Sequence, residues 1–461
     1  MKKLILLMFI VSILVSIISP LGAQEVDSYL KSYIKLGLNK NLELGSAKQN
    51  LIASAAREDQ AFSNFLPKLE INSRYTRAGG GRSFVFPLGT MMNALYDSVG
   101  IDMKLNDETV PFLRPEEQDT KLELVQPIFN YAILYAYDAS NQMKKSEHSG
   151  YRVSELNIAE QIITQYYNCA KARKLVEIGN FVIALVNENL SVAQKLYNVG
   201  KAPKTDVLRA EVQVSSANQE LSTAKNMATL SRGAFNTTLN RPHETEVLFD
   251  SVTAEMLLNP EFKRNLEFGK TMDEAIAAGM QVRPEFDKLN YDIGTLKSIK
   301  KGYYSDYLPS LTLVADYGIQ GEKYKWDKES RYWMVSGMFK WNLFSGFASN
   351  AKQQETEAQI NSLNMMNENV KQLITLEIKN NYLNYTSAFS QYDVAVKTYR
   401  SAEENYRLTK KSYEQGMAPF ISLLDAETTL NVSMENLFVT YYEILTTKWK
   451  LKKSIGLINN E

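Results

Sequence analysis

Residues 196–221 read LYNVGKAPKTDVLRAEVQVSSANQEL, and residues 412–437 read SYEQGMAPFISLLDAETTLNVSMENL. At a constant offset of 216 the two stretches share eight residues, where chance would give roughly one or two. The shared pairs are Tyr197/Tyr413, Gly200/Gly416, Ala202/Ala418, Pro203/Pro419, Leu208/Leu424, Ala210/Ala426, Glu211/Glu427 and Leu221/Leu437. The chain therefore contains an internal duplication, and this repeated stretch decides its fold.

Each copy is predicted to be the tip of a helical hairpin. Gly200 and Gly416 suit the left-handed position that ends a helix, and Pro203 and Pro419 suit the start of the next one. Beyond each tip, apolar residues recur every seven positions, which is typical of a coiled coil. They are Val207, Val214, Leu221, Ala228 and Phe235 in the first copy and Leu423, Leu430, Leu437, Ile444 and Leu451 in the second. We therefore expect two hairpins whose arms pack as coiled coils.

The composition argues against an enzyme and against a nucleic-acid-binding protein. The 461 residues carry 52 basic and 52 acidic side chains, so no basic surface is indicated. The histidines, His148 and His243, are far apart, and the run Gly79–Gly81 lacks the Lys-Ser/Thr of a phosphate loop. Cys169 is the single cysteine; it cannot form a disulfide within the chain and is expected to pack between helices. We therefore predict no catalytic residues, no cofactor and no metal.

The N-terminus has the features of a secretory signal. Lys2 and Lys3 precede the apolar run Leu4–Ser19. We predict a signal peptide over residues 1–23, cleaved after Ala23. The alternative is an uncleaved membrane anchor, which is disfavoured because the run is short for a spanning helix.

Residues 24–240 are predicted to form the first structural repeat, in which helical spacing gives way to strand-like alternation and back again. Its elements are a helix over 25–64, strands over about 66–77 and 120–129, a long helix over 132–199 and a return helix over 205–239. Between the strands, residues 79–118 are expected to be irregular because a glycine run breaks the first strand. The long helix would extend on the order of 100 Å.

A second structural repeat is predicted over 271–461, after a linking segment over 241–270 that contains two prolines. Its elements are a helix over 271–306, strands over about 308–318 and 332–341, a long helix over 347–415 and a return helix over 419–455. The order of elements repeats that of the first half. We therefore expect one body built from two similar halves.

The four predicted strands alternate apolar and polar residues, as membrane-spanning strands do. In the first strand, Leu69, Ile71 and Tyr75 alternate with polar and charged residues. About ten residues are enough for a tilted strand to cross a bilayer. Four strands cannot close a barrel, and an open sheet edge is not tolerated in lipid. We therefore expect three copies to form one twelve-stranded β-barrel.

Aromatic residues near the predicted strand ends fit the interfacial girdle of a membrane barrel. They are Tyr75, Tyr317, Tyr332, Trp333 and Trp341. The alternative for these side chains is packing in a protein core.

The duplicated order of helix, two strands, long helix, tip and return helix resembles the TolC-like outer membrane efflux and secretion proteins. The tips LYNVGKAPKTDVLRAE and SYEQGMAPFISLLDAE and the strand exits QPIFNYA and WNLFSGF contribute to this resemblance. It implies a mainly α fold with membrane β: a homotrimer whose twelve-stranded barrel in the outer membrane lipid is continuous with an α-helical barrel in the periplasm. It also implies that the trimer pairs with a periplasmic adaptor and an inner-membrane pump. Together they would export small molecules or proteins from a Gram-negative bacterium.

The resemblance also implies roles for individual tip residues. The adaptor-contact residues would be Val199, Gly200, Lys201, Ala202 and Pro203 in the first tip and Gln415, Gly416, Met417, Ala418 and Pro419 in the second. Asp206 and Asp425 would form an acidic ring at the periplasmic entrance, and Tyr413 with Thr205 and Asp206 would hold the entrance closed. Ser422 and Ala418 replace an acidic and a basic residue of the family pattern, which implies a thinner ring and a weaker latch. The alternative for the two aspartates is that they are ordinary first-turn helix acids.

A periplasmic coiled-coil scaffold without a channel is the competing function. It would explain the sevenfold spacing but not the four amphipathic strands. The sequence identifies neither the exported substrate nor the pump and adaptor, and it gives no role to residues 79–118.

Overall fold

The computed structural model describes residues 28–457, so the predicted signal peptide over 1–23 and its cleavage after Ala23 lie outside the described residues. The helices are α1 (Ser28–Lys40), α2 (Leu42–Ser63), α3 (Leu88–Val99), α4 (Tyr131–Asn198), α5 (Lys204–Thr238), α6 (Ala254–Leu257), α7 (Pro260–Asn265), α8 (Met272–Val282), α9 (Pro284–Tyr304), α10 (Ala348–Glu414) and α11 (Phe420–Ser454). The strands are β1 (Lys68–Arg77), β2 (Ser83–Phe86), β3 (Glu108–Pro111), β4 (Glu116–Phe129), β5 (Ser310–Gly321) and β6 (Arg331–Lys340).

Two helices that the sequence predicted as continuous are each divided. The helix expected over 25–64 breaks at Asn41, whose side-chain oxygen accepts a hydrogen bond of 3.0 Å from the Leu44 amide and so starts a new helix. The helix expected over 271–306 breaks before Pro284, because the preceding residue is extended, with φ −68° and ψ 121°. Local capping and proline sterics therefore override the helical periodicity at both points.

The described chain folds as two compact units that do not follow the predicted repeats. The first unit takes the described part of Met1–Ile52 with Ser146–Leu289 and Met365–Glu461, and the second takes Ala53–Lys145 and Asn290–Asn364. Each unit therefore contains chain from both halves. The division into repeats stays a prediction from the duplicated sequence.

The second unit contains a four-stranded antiparallel sheet in the order β1-β4-β5-β6. One transverse row pairs Ile71 with Leu122, Leu122 with Tyr317 and Tyr317 with Trp333, and these side chains are 76%, 40%, 59% and 76% exposed. Since successive residues of a strand point to opposite faces, this row marks an apolar, uncovered face.

The opposite face of the sheet is charged. Lys121 Nζ lies 2.5 Å from Glu123 and 2.9 Å from Asp316. Tyr332 also lies on this face, where its hydroxyl donates to Asp119 over 3.1 Å. Assigning Tyr332 to an outward aromatic girdle was therefore wrong, because its neighbour in the strand, Trp333, already points the other way.

The segment expected to be irregular between the first two strands contains the hairpin β2–β3 and helix α3. Gly89 lets α3 approach the following chain closely: a Cβ there would lie 2.2 Å from the Leu105 carbonyl oxygen. The Asn93 side chain then bonds both the amide and the carbonyl of Leu105, at 2.7 and 2.9 Å. These backbone contacts carry no periodic sequence signal, which is why the segment looked irregular.

The first unit is built mainly of α4, α5, α10 and α11. Helices α4 and α11 form the inner pair, because α10 also contacts α4 through Lys410 and α5 also contacts α11 through Gln213. The outer helices are α5 and α10, which gives the order α5–α4–α11–α10.

Thr238 of α5 donates to Gln165 of α4 over 2.6 Å, and Trp449 of α11 donates to Tyr167 of α4 over 3.1 Å. The second tip joins α10 to α11. Cys169 of α4 is buried in this core, and burial raises the pKa of its thiol to about 11.

The sevenfold spacing in α11 marks that core. All five predicted positions, from Leu423 to Leu451, are buried. By length and composition alone, α4 also contains a window that could cross a membrane, a property that core helices share.

Candidate functional site

Both tips have the same backbone geometry. Gly200 is left-handed with φ 77°, its amide donates to the Tyr197 carbonyl over 2.9 Å, and the Lys201 amide donates to the Leu196 carbonyl over 2.8 Å. The second tip repeats both bonds, at 2.8 and 2.9 Å, around Gly416 with φ 74°. This is the glycine-dependent helix ending in which two otherwise unpaired carbonyls are satisfied. The repeated glycines therefore set the reversal of the chain.

The return helices start from matching prolines. Pro203 and Pro419 are extended, with φ/ψ of −75°/158° and −71°/152°. Their carbonyls accept bonds of 3.1 Å from the Asp206 and Ser422 amides. Of the predicted contact residues, Ala202 and Ala418 are half-buried and the other eight are exposed. The structure thus presents both tip turns at the surface of the chain.

Tyr413 lies just inside the second tip and is buried. Its ring packs against Phe420 with centroids 5.4 Å apart. Its hydroxyl has no hydrogen-bond partner within residues 28–457. Burial raises its pKa to about 12, and the negative charge of Asp206 adds to the shift. Tyr413 and Asp206 therefore lie within electrostatic range, while Thr205 is exposed and the three-residue latch stays a prediction.

The two aspartates occupy different positions in their repeats. Asp206 is half-buried, which raises its pKa, and the charge of Arg209 opposes this shift. Asp425 is exposed and matches Arg209, not Asp206, at the offset of 216. Three helical positions correspond to about 4.5 Å of rise. Three copies would therefore present two staggered sets of carboxylates.

A buried polar cluster that the sequence did not predict lies behind the tips. Asn189 of α4 donates its side-chain N–H to Glu427 of α11, and Tyr406 of α10 donates to the Asn189 oxygen over 3.2 Å. Glu427 is only 2% exposed, and burial raises its pKa although Asn189 and Gln213 oppose the shift. The available sequence signal was the identity of Glu211 and Glu427 in the duplication.

Within the described range of the chain, no group of three or more His, Cys, Asp or Glu side chains is arranged to hold a metal ion. The tips therefore provide carboxylates, exposed turns and a buried tyrosine. These groups can attract cations and contact another protein.

Comparison with known proteins places this arrangement in a family. The sequence model of the outer membrane efflux protein family matches residues 33–240 and 304–457. Outer membrane protein TolC of Escherichia coli (strain K12) is 20% identical over 468 residues, covering 95% of this chain and 84% of TolC.

Solved structures share the fold. The outer membrane protein VceC of Vibrio cholerae is 14% identical with a TM-score of 0.73, over 94% of this chain and 98% of VceC. The Campylobacter jejuni CmeC outer membrane channel is 15% identical with a TM-score of 0.73, over 93% of this chain and 86% of CmeC.

The resemblance inferred from the tips is thereby confirmed. The family is one of transport proteins and not of enzymes. Since the family match covers most of the sequence, the chain belongs to the outer membrane efflux protein family and is an exit duct of an efflux system, located in the outer membrane and extending into the periplasm.

Proposed function

We propose that three copies of this chain assemble into one passive duct that performs no chemistry on its cargo. The observation that carries this proposal is the sheet. Within the described residues, β1 pairs only with β4 and β6 only with β5, so each outer edge has unpaired backbone groups. Lipid does not tolerate such edges, and three sheets joined edge to edge would close a twelve-stranded barrel.

The two faces of the sheet support this arrangement. The apolar row from Ile71 to Trp333 would face lipid, and the charged face with Lys121 and Asp316 would line a water-filled lumen. The mass of the purified protein in detergent, measured by light scattering with the detergent subtracted, tests the assembly. We expect three chains per particle; a particle of one chain would contradict the trimer.

The exposed tips are proposed to contact a periplasmic adaptor, which connects the duct to an inner-membrane pump. A bulky Met417→Trp substitution in the exposed second tip tests this contact. We expect it to restore sensitivity to toxic small molecules in the native host while leaving trimer mass and channel conductance unchanged. Met91→Trp, which is equally exposed but lies in α3, away from the tips and from α5 and α10, is the matched control and should export normally. Normal export by the tip variant would count against adaptor contact.

Thr205, Asp206, Tyr413 and Asp425 are proposed to form the periplasmic entrance. Six carboxylates from three copies would favour cations and bind multivalent ones. We expect trivalent hexamminecobalt to block wild-type currents from the tip side and to block the Asp206→Asn/Asp425→Asn variant weakly. Glu443→Gln removes an exposed carboxylate elsewhere in α11 and should leave the block intact. An undiminished block in the double aspartate variant would remove these residues from the entrance.

A further inference from the structure

The Asn189–Glu427 contact joins the two repeats within one chain. Asn189 belongs to α4 of the first repeat and Glu427 to α11 of the second, and both side chains are 2% exposed. Behind the tips, a side-chain amide and a carboxylate thus bond each other in a position shielded from water. Glu427 accepts this bond through one carboxylate oxygen, whereas its Oε1 has no hydrogen-bond partner within residues 28–457. Breaking the bond would leave the Asn189 N–H and the second oxygen buried and unpaired as well, so the contact favours one register of the two helices.

Both members of this contact are duplicated. Asn405 follows Asn189 by 216 residues, and Glu427 follows Glu211 by 216 residues. The offset has no gap between these positions and the tips, because α4 ends at Asn198 and α10 at Glu414, again 216 residues later. Asn405 and Glu211 are nevertheless both exposed. The chain therefore carries a second copy of each partner but only one contact.

The order of the helices explains why the second contact is missing from a single chain. In the order α5–α4–α11–α10, the contact lies between the inner helices α4 and α11. Repeating this order places α10 of one copy beside α5 of the next. A rotation that superposes the first repeat of one copy on its second repeat would also superpose the second repeat on the first repeat of the next copy. Under this rotation, Asn189 of α4 coincides with Asn405 of α10. Glu427 of α11 coincides with Glu211 of α5 in the next copy.

The outer helices have the surfaces that such a neighbour would cover. Large apolar side chains are exposed on both of them. They are Leu208, Val212, Met227 and Leu230 on α5 and Met365, Met366, Leu373, Leu376, Leu383, Val394 and Leu408 on α10. The inner helix α11 exposes only Ile421 and Val432 among its large apolar residues. Exposed apolar patches of this extent mark sites of association.

We propose that Asn405 of one copy donates its side-chain N–H to Glu211 of the next copy, so that the interface between copies repeats the contact within each copy. The inference rests on the proposed trimer and adds a specific pair of residues to it. Three contacts within chains and three between chains would then alternate around the assembly. The two contacts differ in one residue. Within a chain, the Tyr406 hydroxyl donates to Asn189. Its counterpart at the contact between copies is Leu190, which has no hydroxyl to donate to Asn405.

Cysteine cross-linking tests the pair. Asn405→Cys/Glu211→Cys is treated with a short bifunctional thiol reagent, and Cys169 stays in place because it is buried. We expect covalent dimers and trimers on denaturing gels. Lys410→Cys/Glu188→Cys places two thiols at a contact within one chain, where the native side chains are 20% and 58% exposed, and should lose both free thiols without forming dimers or trimers. The double variant Arg407→Cys/Glu211→Cys, displaced by two positions around α10, should give no ladder.

An exchange of acid and amide tests the bond itself. Asn405→Asp would face Glu211 with a second carboxylate, so we expect the trimer to dissociate at lower temperature. Adding Glu211→Gln should restore wild-type resistance, since one acid and one amide are again present. Asn380→Asp introduces the same charge at another exposed position of α10 and should change little.

The outcomes separate this inference from the proposed trimer. A trimeric mass with no Asn405→Cys/Glu211→Cys ladder, while Lys410→Cys/Glu188→Cys does cross-link within the chain, would overturn the residue pair and leave the trimer in place. A single-chain mass would overturn both.

Discussion

Helices α5 and α11 occupy the same place in the two repeats and meet different surroundings. Each has 35 residues, and their bounds differ by the same 216 positions that relate the tips. Yet α11 has 17 buried residues and α5 has seven. The difference arises because α11 lies between α4 and α10, whereas one side of α5, which carries Val212 and Leu230, is not covered by the described residues. Duplication thus sets where a helix begins and ends, and the position of the helix among the others of its chain sets what it buries.

The largest expected effect comes from removing matched leucines of the two helices. Leu437 is fully buried, so Leu437→Ala should lower the free energy of unfolding by about 2–5 kcal/mol. Leu221, its counterpart, packs against Gly179 of α4, and Leu221→Ala should fall at the lower end of that range. Thermal unfolding followed by circular dichroism in detergent measures both. Val432→Ala, an exposed change on α11, is the control, and equal effects at all three sites would contradict the comparison.

The ends of the two helices offer the second contrast. Lys453 of α11 lies 3.1 Å from Glu160 and 3.3 Å from Glu377, and its side chain is largely buried. Lys453→Met should therefore cost about 1–3 kcal/mol of unfolding free energy, since it removes the ion-pair partner of the half-buried Glu160, whereas Glu377 keeps Arg283. The corresponding Thr237 of α5 is exposed, and Thr237→Ala should change stability by less than about 0.5 kcal/mol. Guanidinium titrations of the two variants measure both changes in the free energy of unfolding. No loss of stability in Lys453→Met would contradict this contrast.

Titration distinguishes the buried glutamate of α11. Burial raises the pKa of Glu427 above its ordinary value of 4.5, so the folded state holds this proton more tightly than the unfolded state. The free energy of unfolding should therefore fall as pH rises from about 4.5 through the folded pKa. Glu427→Gln should remove that part of the pH dependence, and Glu443→Gln, an exposed change on the same helix, should retain it. Parallel pH profiles for wild type and Glu427→Gln would refute this account of the cluster.

The smallest effect concerns the two equivalent tip tyrosines. The Tyr413 hydroxyl is buried without a partner in the described residues, so Tyr413→Phe should leave the free energy of unfolding unchanged or raise it slightly. If the hydroxyl holds the entrance closed in the assembled duct, the same change should increase single-channel opening. Tyr197→Phe alters the exposed counterpart and should change neither quantity. Unchanged opening in Tyr413→Phe would argue against a latch.

The parts predictable from sequence are those that depend on local chemistry. Gly200 and Gly416 adopt the left-handed conformation that their positions required, and the sevenfold positions of α11 are buried. The break at Asn41 was missed because a single capping side chain is a weak signal inside a periodic helix.

Features that depend on contacts distant in sequence could not be predicted from the repeats. Glu211 and Glu427 are the same residue in the same motif, and only the packing of α11 against α4 buries one of them. Asp206 is the third residue of α5 and Asp425 the sixth residue of α11, so the two aspartates do not share a repeat position. Periodicity identifies the face of a helix, but it does not show whether another helix covers that face.

Planar-bilayer conductance of a preparation of known mass shows whether three copies close one duct. In that duct, the exposed sides of α5 and α10 and the free edges of β1 and β6 would meet between copies. We expect a trimer that gives stable, cation-selective single-channel currents. A single-chain particle that never inserts would contradict it and favour a periplasmic coiled-coil scaffold.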